Sequence, residues 1–308
     1  MHIAVAIVGF RNPEDVWRCL AALDHSAHRD FEVVICENGG PAAYAALEDR
    51  LPTALSMGQP VRAILADRNL GYAGGVNVCM AAAPDADGCW ILNPDTEPEP
   101  GALASLVARL EVGDCEAAGC LVYLPNGRVQ SYGGRWQGWL ARAESIGYGA
   151  ELDAPVDRQT IERRQNYLNG ASLIVSARFL RTVGPMREDY FLYCEEVEWC
   201  LRAVKKGLRL GFARDARVLH YQGTTMGNFS DLKRRGRLSI YLSERNKILL
   251  TRDCFPLAVF AVAFFAAPFL IYRYGSRGAW RQCGYGLAGW WAGVRGERGN
   301  PDSAVAAP

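Results

Sequence analysis

The chain has 308 residues, is 50% hydrophobic and 22% charged, and carries a formal net charge of +1. That length makes one large domain or two and buries on the order of 75% of the unfolded chain's surface, so folding needs no disulfide or structural metal. The apolar content excludes wholesale disorder, 32 Gly and 15 Pro follow no collagen-like period, and the near-zero net charge excludes nucleic acid as a partner bound through a basic surface.

Residues 3–8 are a nearly continuous apolar run, the pattern of a strand buried on both faces. The run lacks the basic leader and small-residue cleavage site of a signal peptide, so it reads as a first strand. Asn12 can cap a helix, Pro13 suits its first position and Glu14 and Asp15 complement its dipole, which predicts a helix to about Leu23. A second apolar run, residues 31–36, ends at the turn cluster Glu37-Asn-Gly-Gly-Pro41, ahead of a helical stretch to Arg50. Residues 61–66 and 89–92 read as two more short strands, separated by a loop over residues 71–75 and a helix over 76–83. Such alternation implies crossover connections and a mostly parallel, Rossmann-like sheet with helices on both faces. Ligands of these sheets sit beyond the carboxyl ends of the strands, and polar residues cluster there at 9–12, 37–40, 67–69 and 93–97.

From residue 117 onward the order is less regular, with regular structure resuming over 167–175, a helix over 195–206 stopped by Gly207, and strands at 209–212 and 217–219. Residues 230–251 look helical and basic. Residues 1–232 carry 22 Lys/Arg against 29 Asp/Glu, whereas residues 233–281 carry 10 against 2, so an acidic body precedes a basic segment. These shifts divide the chain into a catalytic body over 1–229, with a nucleotide-binding part (1–115) and an acceptor part (116–229), and a basic and hydrophobic helical region over 230–308. The ten cysteines form no C-x-x-C, and Cys36, Cys89, Cys120 and Cys200 lie in apolar segments, which predicts reduced structural thiols and a body facing the cytoplasm.

Three clusters carry candidate chemistry. Asn93-Pro-Asp95 ends a strand, and a carboxylate there can hold a divalent cation against a diphosphate, although Asp and Pro serve equally well as a cap and turn. In residues 67–77 glycines precede a helix, where backbone N–H groups favour phosphate; the G-x-G-x-x-G order and the Walker loop are both missing, so a nicotinamide cofactor is unsupported and a plain loop stays open. The densest cluster, residues 190–202, sets Glu195, Glu196 and Glu198 beside aromatic residues at a helix start. Acids there complement the helix dipole, yet a carboxylate near apolar rings and a second carboxylate is also pushed toward the range of a general base. His220, one of four histidines, closes an apolar run; such a residue is commonly a hydrogen-bonded core or surface histidine, and its neutral ring could also complete a cation site with Asp95.

Taken in order, residues 7–12, 33–40, 69–77, 92–97, 169–172, 190–202 and 218–223 resemble the family-2 glycosyltransferases of the GT-A fold, particularly the bacterial rhamnosyltransferase and galactofuranosyltransferase branch. The resemblance spans nearly all of residues 1–225. It implies that Glu37, Asn69, Gly71, Asn77, Asn93 and Asp95 bind the donor, with Glu37 accepting from the pyrimidine base. It also implies that Asp95 is the last position of a D-x-D motif whose first acid is replaced by Asn93, and that Asp95 and His220 hold Mg²⁺ or Mn²⁺. Glu196 matches the catalytic base, and Glu195, Trp199 and Arg202 match residues that contact the acceptor or orient the base. Glu stands where the family usually has Asp at both 37 and 196. The implied activity is inverting transfer of a sugar, rhamnose as the best match, from a dTDP or UDP donor to a hydroxyl of a glycan or polyprenyl-diphosphate-linked glycan in cell-surface polysaccharide synthesis. A retaining reaction, a non-catalytic sugar-nucleotide or lipid-binding scaffold and a sugar nucleotidyltransferase are the rivals; the last would want a G-x-G-T-R-like loop where Gly9-Phe-Arg-Asn12 stands.

Residues 255–272 hold no charge, and their 18 residues are near the lower limit for spanning a bilayer. Pro256, Pro268 and the basic residues Lys233, Arg234, Arg235, Arg273, Arg277 and Arg281 fit a shallow interfacial or re-entrant segment against anionic headgroups, or against the diphosphate of a lipid-linked acceptor. This predicts peripheral or monotopic attachment to the cytoplasmic face of the inner (plasma) membrane. A buried hairpin or dimer interface is the alternative, which leaves a homo-oligomer open.

Overall fold

The computed structural model of the chain describes residues 1–221 and 232–301. The element order is β1 (Ile3–Gly9), α1 (Pro13–Asp24), β2 (Phe31–Glu37), α2 (Pro41–Glu48), β3 (Val61–Leu65), α3 (Gly71–Ala82), β4 (Gly88–Leu92), β5 (Thr96–Pro98) and α4 (Ala102–Glu111). There follow β6 (Ala117–Tyr123), β7 (Val129–Ser131), β8 (Gly134–Gln137), β9 (Arg142–Ser145), α5 (Arg158–Arg164), β10 (Ser172–Ser176), α6 (Ala177–Val183), α7 (Glu195–Lys205) and β11 (Leu210–His220). Three helices close the chain: α8 (Arg237–Cys254), α9 (Val259–Gly275) and α10 (Trp280–Arg295).

Nine strands form one sheet in the order β3-β2-β1-β4-β10-β6-β11-β5, with β7 beside β6. The four strands β3, β2, β1 and β4 are parallel, as the alternating pattern requires, and every residue of β1 is buried between its two neighbours. The expectation of a mostly parallel sheet fails beyond β4. There β10 runs antiparallel to both β4 and β6, and β5 and β7 are antiparallel additions, so the sheet is mixed. The two predicted strands at 209–219 are one strand, β11, bulged between Ala213 and Arg217. Ile3, Val5 and Ile7 face α1 and α4 on one side of the sheet, while Ala4, Ala6 and Val8 face α3, α6 and α7 on the other.

Residues 71–75, expected as a loop, are the first turns of α3. Their glycines answer to close packing: a Cβ on Gly71 would stand 2.1 Å from the Phe191 carbonyl oxygen, and one on Gly75 would stand 2.6 Å from the Val8 side chain. Packing of that tightness tolerates only glycine. The boundary expected at 229/230 and residues 222–223 of the 218–223 stretch lie outside the described residues. Beyond the gap, Ile248, Leu249 and Leu250 of α8 join the same buried cluster as the sheet residues Ala4, Ala6 and Ile91. All ten cysteines are free thiols, and burial alone pushes Cys89 up to about 12, as fits inert core residues.

Candidate active site

Register places the carboxyl ends of β1, β2 and β4 side by side, and the fully buried carboxylate among them is Glu37 at the end of β2. Register pairs Glu37 with Gly9, where a Cβ would stand 2.5 Å from Glu37 Oε2; glycine there lets the side chain fold inward. Glu37 Oε1 accepts from the Arg11 and Gly39 backbone N–H groups at 3.1 and 2.7 Å. Oε2 is buried without a hydrogen-bond partner among the described residues. A fully buried carboxylate with one oxygen held and the other open is an acceptor awaiting a donor, because an unmade hydrogen bond on such a group is costly.

Asp95 and His220 meet through long-range pairing. β5 runs antiparallel to β11 with His220 opposite Thr96, which brings the imidazole Nε2 to 3.3 Å from Asp95 Oδ1. On its other side, His220 Nδ1 lies 2.7 Å from Gln130 Oε1 on β7. A neutral imidazole donating from Nδ1 to that oxygen would turn its Nε2 lone pair toward the carboxylate, and a buried nitrogen and oxygen so placed suit Mg²⁺ or Mn²⁺. Among the described residues no group of three or more His, Cys, Asp or Glu side chains surrounds a metal position, so the remaining ligands would come from water and a diphosphate.

Glu195 and Glu196 open α7. The turn before them is strained: Phe191, Tyr193 and Cys194 have φ of 67°, 73° and 71°. Such conformations cost about 1–3 kcal/mol each for residues other than glycine and concentrate at functional sites. Glu195 is buried with Oε2 unpartnered, and burial, then the charge of Glu196, drives its carboxyl well above the usual range. Glu196 is half-buried and also raised by burial. Tyr72 on α3 has its hydroxyl 2.8 Å from both Asn93 Oδ1 and the Gly170 carbonyl. Burial, then the charges of Glu195, Glu196 and Asp95, hold that phenol neutral. A Cβ on Gly170 would stand 3.2 Å from Glu196 Cγ, so the 169–172 turn packs directly against the acid.

Asn93, Asp95, Glu195 and Glu196 thus lie about the Tyr72 phenol, with His220 against Asp95, and Glu37 stands on β2, separated from β4 by β1. Other expected site residues serve as framework. Asn77 spends its amide on Met186 and Glu188, donating to the Met186 carbonyl and Glu188 Oε1 and accepting from the Met186 N–H. Gly71 donates its N–H to Asn69 Oδ1 and offers its carbonyl to Asn38, leaving no backbone group for a phosphate. Trp199 is fully buried, packs edge-on to Phe179 and donates to the Gly184 carbonyl. Arg202 pairs with Glu198 and donates to the Val183 and Pro185 carbonyls. Of the two roles expected for Trp199 and Arg202, acceptor contact has no exposed indole surface to use, and both side chains instead anchor α7 against the end of α6.

Gln130, Tyr72, Arg245 and Asn246 were not singled out by the sequence. A mid-helix Asn among apolar positions of α8 is the one signal that could have drawn attention, because such a residue needs a partner to be buried.

The match to the model of glycosyl transferase family 2 covers residues 4–174, more than half of the chain. An N-acetylglucosaminyl-diphospho-decaprenol L-rhamnosyltransferase of Mycobacterium tuberculosis is 27% identical over 235 residues, covering 68% of this chain and 73% of that protein. The galactofuranosyltransferase GlfT1 of the same species is 26% identical over 230 residues, covering 72% of this chain and 71% of its own length. Among solved structures, GalNAc-T7 with UDP, GalNAc and Mn²⁺ superposes with a TM-score of 0.61 at 16% identity over 80% of this chain, which spans about half (51%) of that protein. At such identity the likeness shows the fold, which is GT-A. The chain is a glycosyltransferase that moves a sugar from a nucleoside-diphosphate donor to an acceptor, and it belongs to glycosyl transferase family 2.

Proposed function

We propose that the chain is an inverting, cation-assisted transferase using a pyrimidine nucleoside-diphosphate sugar, rhamnose being the favoured sugar, and a hydroxyl of a lipid-linked glycan as acceptor. The observation that carries this reading is a set of three acidic positions: Glu37 with an unpartnered oxygen, Asp95 facing His220, and the Glu195–Glu196 pair, whose charges act on the Tyr72 phenol together with that of Asp95. The open Glu37 Oε2 suits an imide N–H of uracil or thymine, and the rhamnosyltransferase relative favours the sugar.

Asp95 Oδ1 and His220 Nε2 would hold the cation, with Gln130 fixing the imidazole; the bound cation neutralises charge on the departing diphosphate. Glu195, the more deeply buried acid, keeps its proton and leaves Glu196 as the carboxylate, so the pair divides into a structural acid and a base. Glu196 removes the proton from the acceptor hydroxyl as its oxygen attacks the anomeric carbon on the face opposite the diphosphate. The sugar–phosphate bond breaks in the same displacement, which inverts the centre.

The outward face of α9 supports attachment to the cytoplasmic surface of a membrane. Ala258, Val262, Leu270 and Tyr274 turn inward, while Leu257, Phe260, Phe264, Phe265 and Phe269 are 59–87% exposed. By length and composition this segment could also cross a bilayer, but its inward stripe packs on the body, so we read it as lying in the interface.

The deciding experiment supplies dTDP- and UDP-sugars with a short polyprenyl-diphosphate glycan and reads the anomeric configuration of the product by NMR. Glu196→Gln is expected to keep nucleotide binding and lower kcat by about 10³-fold or more, within the range that loss of a general base and its charge produces. Near-normal turnover of that variant, or retained configuration in the product, overturns the reading.

A further inference from the structure

The strained turn before α7 is held by donors from a distant helix. The Asn246 side-chain amide on α8 spreads its two protons over three carbonyls, those of Tyr190 at 2.9 Å and of Leu192 and Tyr193 at 2.8 Å. Its neighbour Arg245 donates to the Tyr190 carbonyl at 2.9 Å, to Asn246 Oδ1 at 2.9 Å and to the Gly299 carbonyl at 2.8 Å. Both side chains have at most 1% of their surface exposed. These hydrogen bonds end on neutral oxygens: the buried amide is committed to backbone carbonyls of one turn, and the buried guanidinium braces that amide while sharing the Tyr190 carbonyl and reaching Gly299.

That turn contains three of the five non-glycine residues with positive φ among the described residues, Phe191, Tyr193 and Cys194. A chain segment does not adopt such angles unaided; its carbonyls must be drawn into place. The same turn is fixed from the donor side, where the Tyr72 N–H gives a hydrogen bond to the Phe191 carbonyl at 2.8 Å. The turn therefore lies between α3 and α8, and its last residue is the N-cap of the helix that carries Glu195 and Glu196.

We infer that Asn246 and Arg245 are positioning residues for the reaction: by holding the carbonyls of Tyr190, Leu192 and Tyr193 they set the first turn of α7 and hence the place of the Glu196 carboxylate. The inference rests on the assignment of Glu196 as the base. It gives the otherwise unremarked polar pair in α8 a role in turnover, and it makes the C-terminal helices part of the catalytic apparatus rather than an appendage.

Asn246→Asp keeps the shape of the side chain but replaces its two donors with an acceptor that repels the carbonyls. In the full-length protein this variant should lower kcat by about 100-fold while the dissociation constant for UDP with Mn²⁺ stays within about threefold, because the Asn246 donors end on the turn before α7 and not on Glu37, Asp95 or His220. Arg245→Lys, which keeps the charge and loses the fork, should lower kcat by about tenfold with the same unchanged nucleotide affinity. Adding Cys194→Gly to Asn246→Ala should recover at least about tenfold of the kcat lost in Asn246→Ala alone, since glycine holds a positive φ without help. Variants that turn over within about threefold of the parent, nucleotide affinity that falls in parallel with kcat, or no recovery in the double variant would each overturn the inference. Glu196→Gln measured in the same assay separates the two readings. If it stays active the base assignment fails; if it is inactive while Asn246→Asp is fully active, only the clamp fails.

Discussion

Glu195 shows what the site costs the molecule. An acid buried with one oxygen unpartnered and a second acid next to it favours its protonated form, so its folded-state affinity for protons exceeds that of the unfolded chain. The sign of the linkage follows. The contribution is fully present below the unfolded Glu value of about 4.3 and is lost as pH rises through the raised folded value, so at neutral pH the residue destabilises the fold. Glu195→Gln should therefore raise the thermal midpoint at pH 8, by about 2–4 °C if the relief is near 1 kcal/mol, and the gain should vanish at pH 4. Thermal melts of both proteins across that range check it, and an equal shift at both pH values would rule out proton linkage as the cause. A position written in local pattern, such as Glu37 after an apolar strand, was legible from the sequence. The pairing of His220 with Asp95 stood there only as one alternative beside a core or surface histidine, because their contact depends on the β5–β11 register across a long stretch of chain. Gln130, Tyr72 and Asn246 were silent because a polar residue's partner is a property of the tertiary fold.

At the scale of elements, the C-terminal helices are locked to the body by a four-residue ionic cluster. Asp253 on α8 pairs with Arg187 at 2.7 Å and Arg298 at 2.7 Å and accepts from the Tyr190 hydroxyl at 2.7 Å, while Arg187 and Arg298 also hold Asp189. Burial works to raise the Asp253 carboxyl, but hydrogen bonds from Arg298 and Tyr190 and the two guanidinium charges outweigh it and hold it below the ordinary value. Its stabilisation is present above about pH 3.9 and is lost as pH falls through the depressed folded value. Asp253→Asn should cost about 1–3 kcal/mol at pH 7, less than a fully buried pair because the arginines are partly exposed. The stability gap between variant and parent in urea titrations should narrow as pH approaches 3, and a gap independent of pH would show that the cluster is held by packing alone. The first half of this architecture was readable because β1, β2 and β4 each bury a short apolar run within a repeating strand–helix pattern, with β3 as the half-exposed edge. The second half was not, since nothing local announces that β10 inserts antiparallel between β4 and β6 or that the glycines of α3 are packing residues.

On the scale of the whole molecule, α9 with its outward aromatic face lies against the turn after β8. The turn after β8 leaves Trp139 and Leu140 65% and 66% exposed, and its base packs on the start of the helical tail: a Cβ on Gly138 would stand 2.4 Å from the Phe255 ring. Aromatic side chains here, with Arg273, Arg277 and Arg281 close by in sequence, match the composition of an interfacial binder, apolar groups for the acyl boundary and cations for anionic headgroups. Inserting one phenylalanine is worth about 1.5–3 kcal/mol, so replacing Phe260, Phe264 and Phe265 with serine should weaken binding to anionic vesicles by about 10³-fold or more. Because these rings are exposed, the triple variant should keep its thermal midpoint and its turnover of a water-soluble acceptor while losing turnover of a vesicle-borne one. Sedimentation with phosphatidylglycerol vesicles at low and high salt makes the measurement, and the basic residues predict that salt weakens the parent's binding. A triple variant that sediments as the parent does, or a parent that never sediments, would assign the aromatic face to contacts within or between protein chains instead.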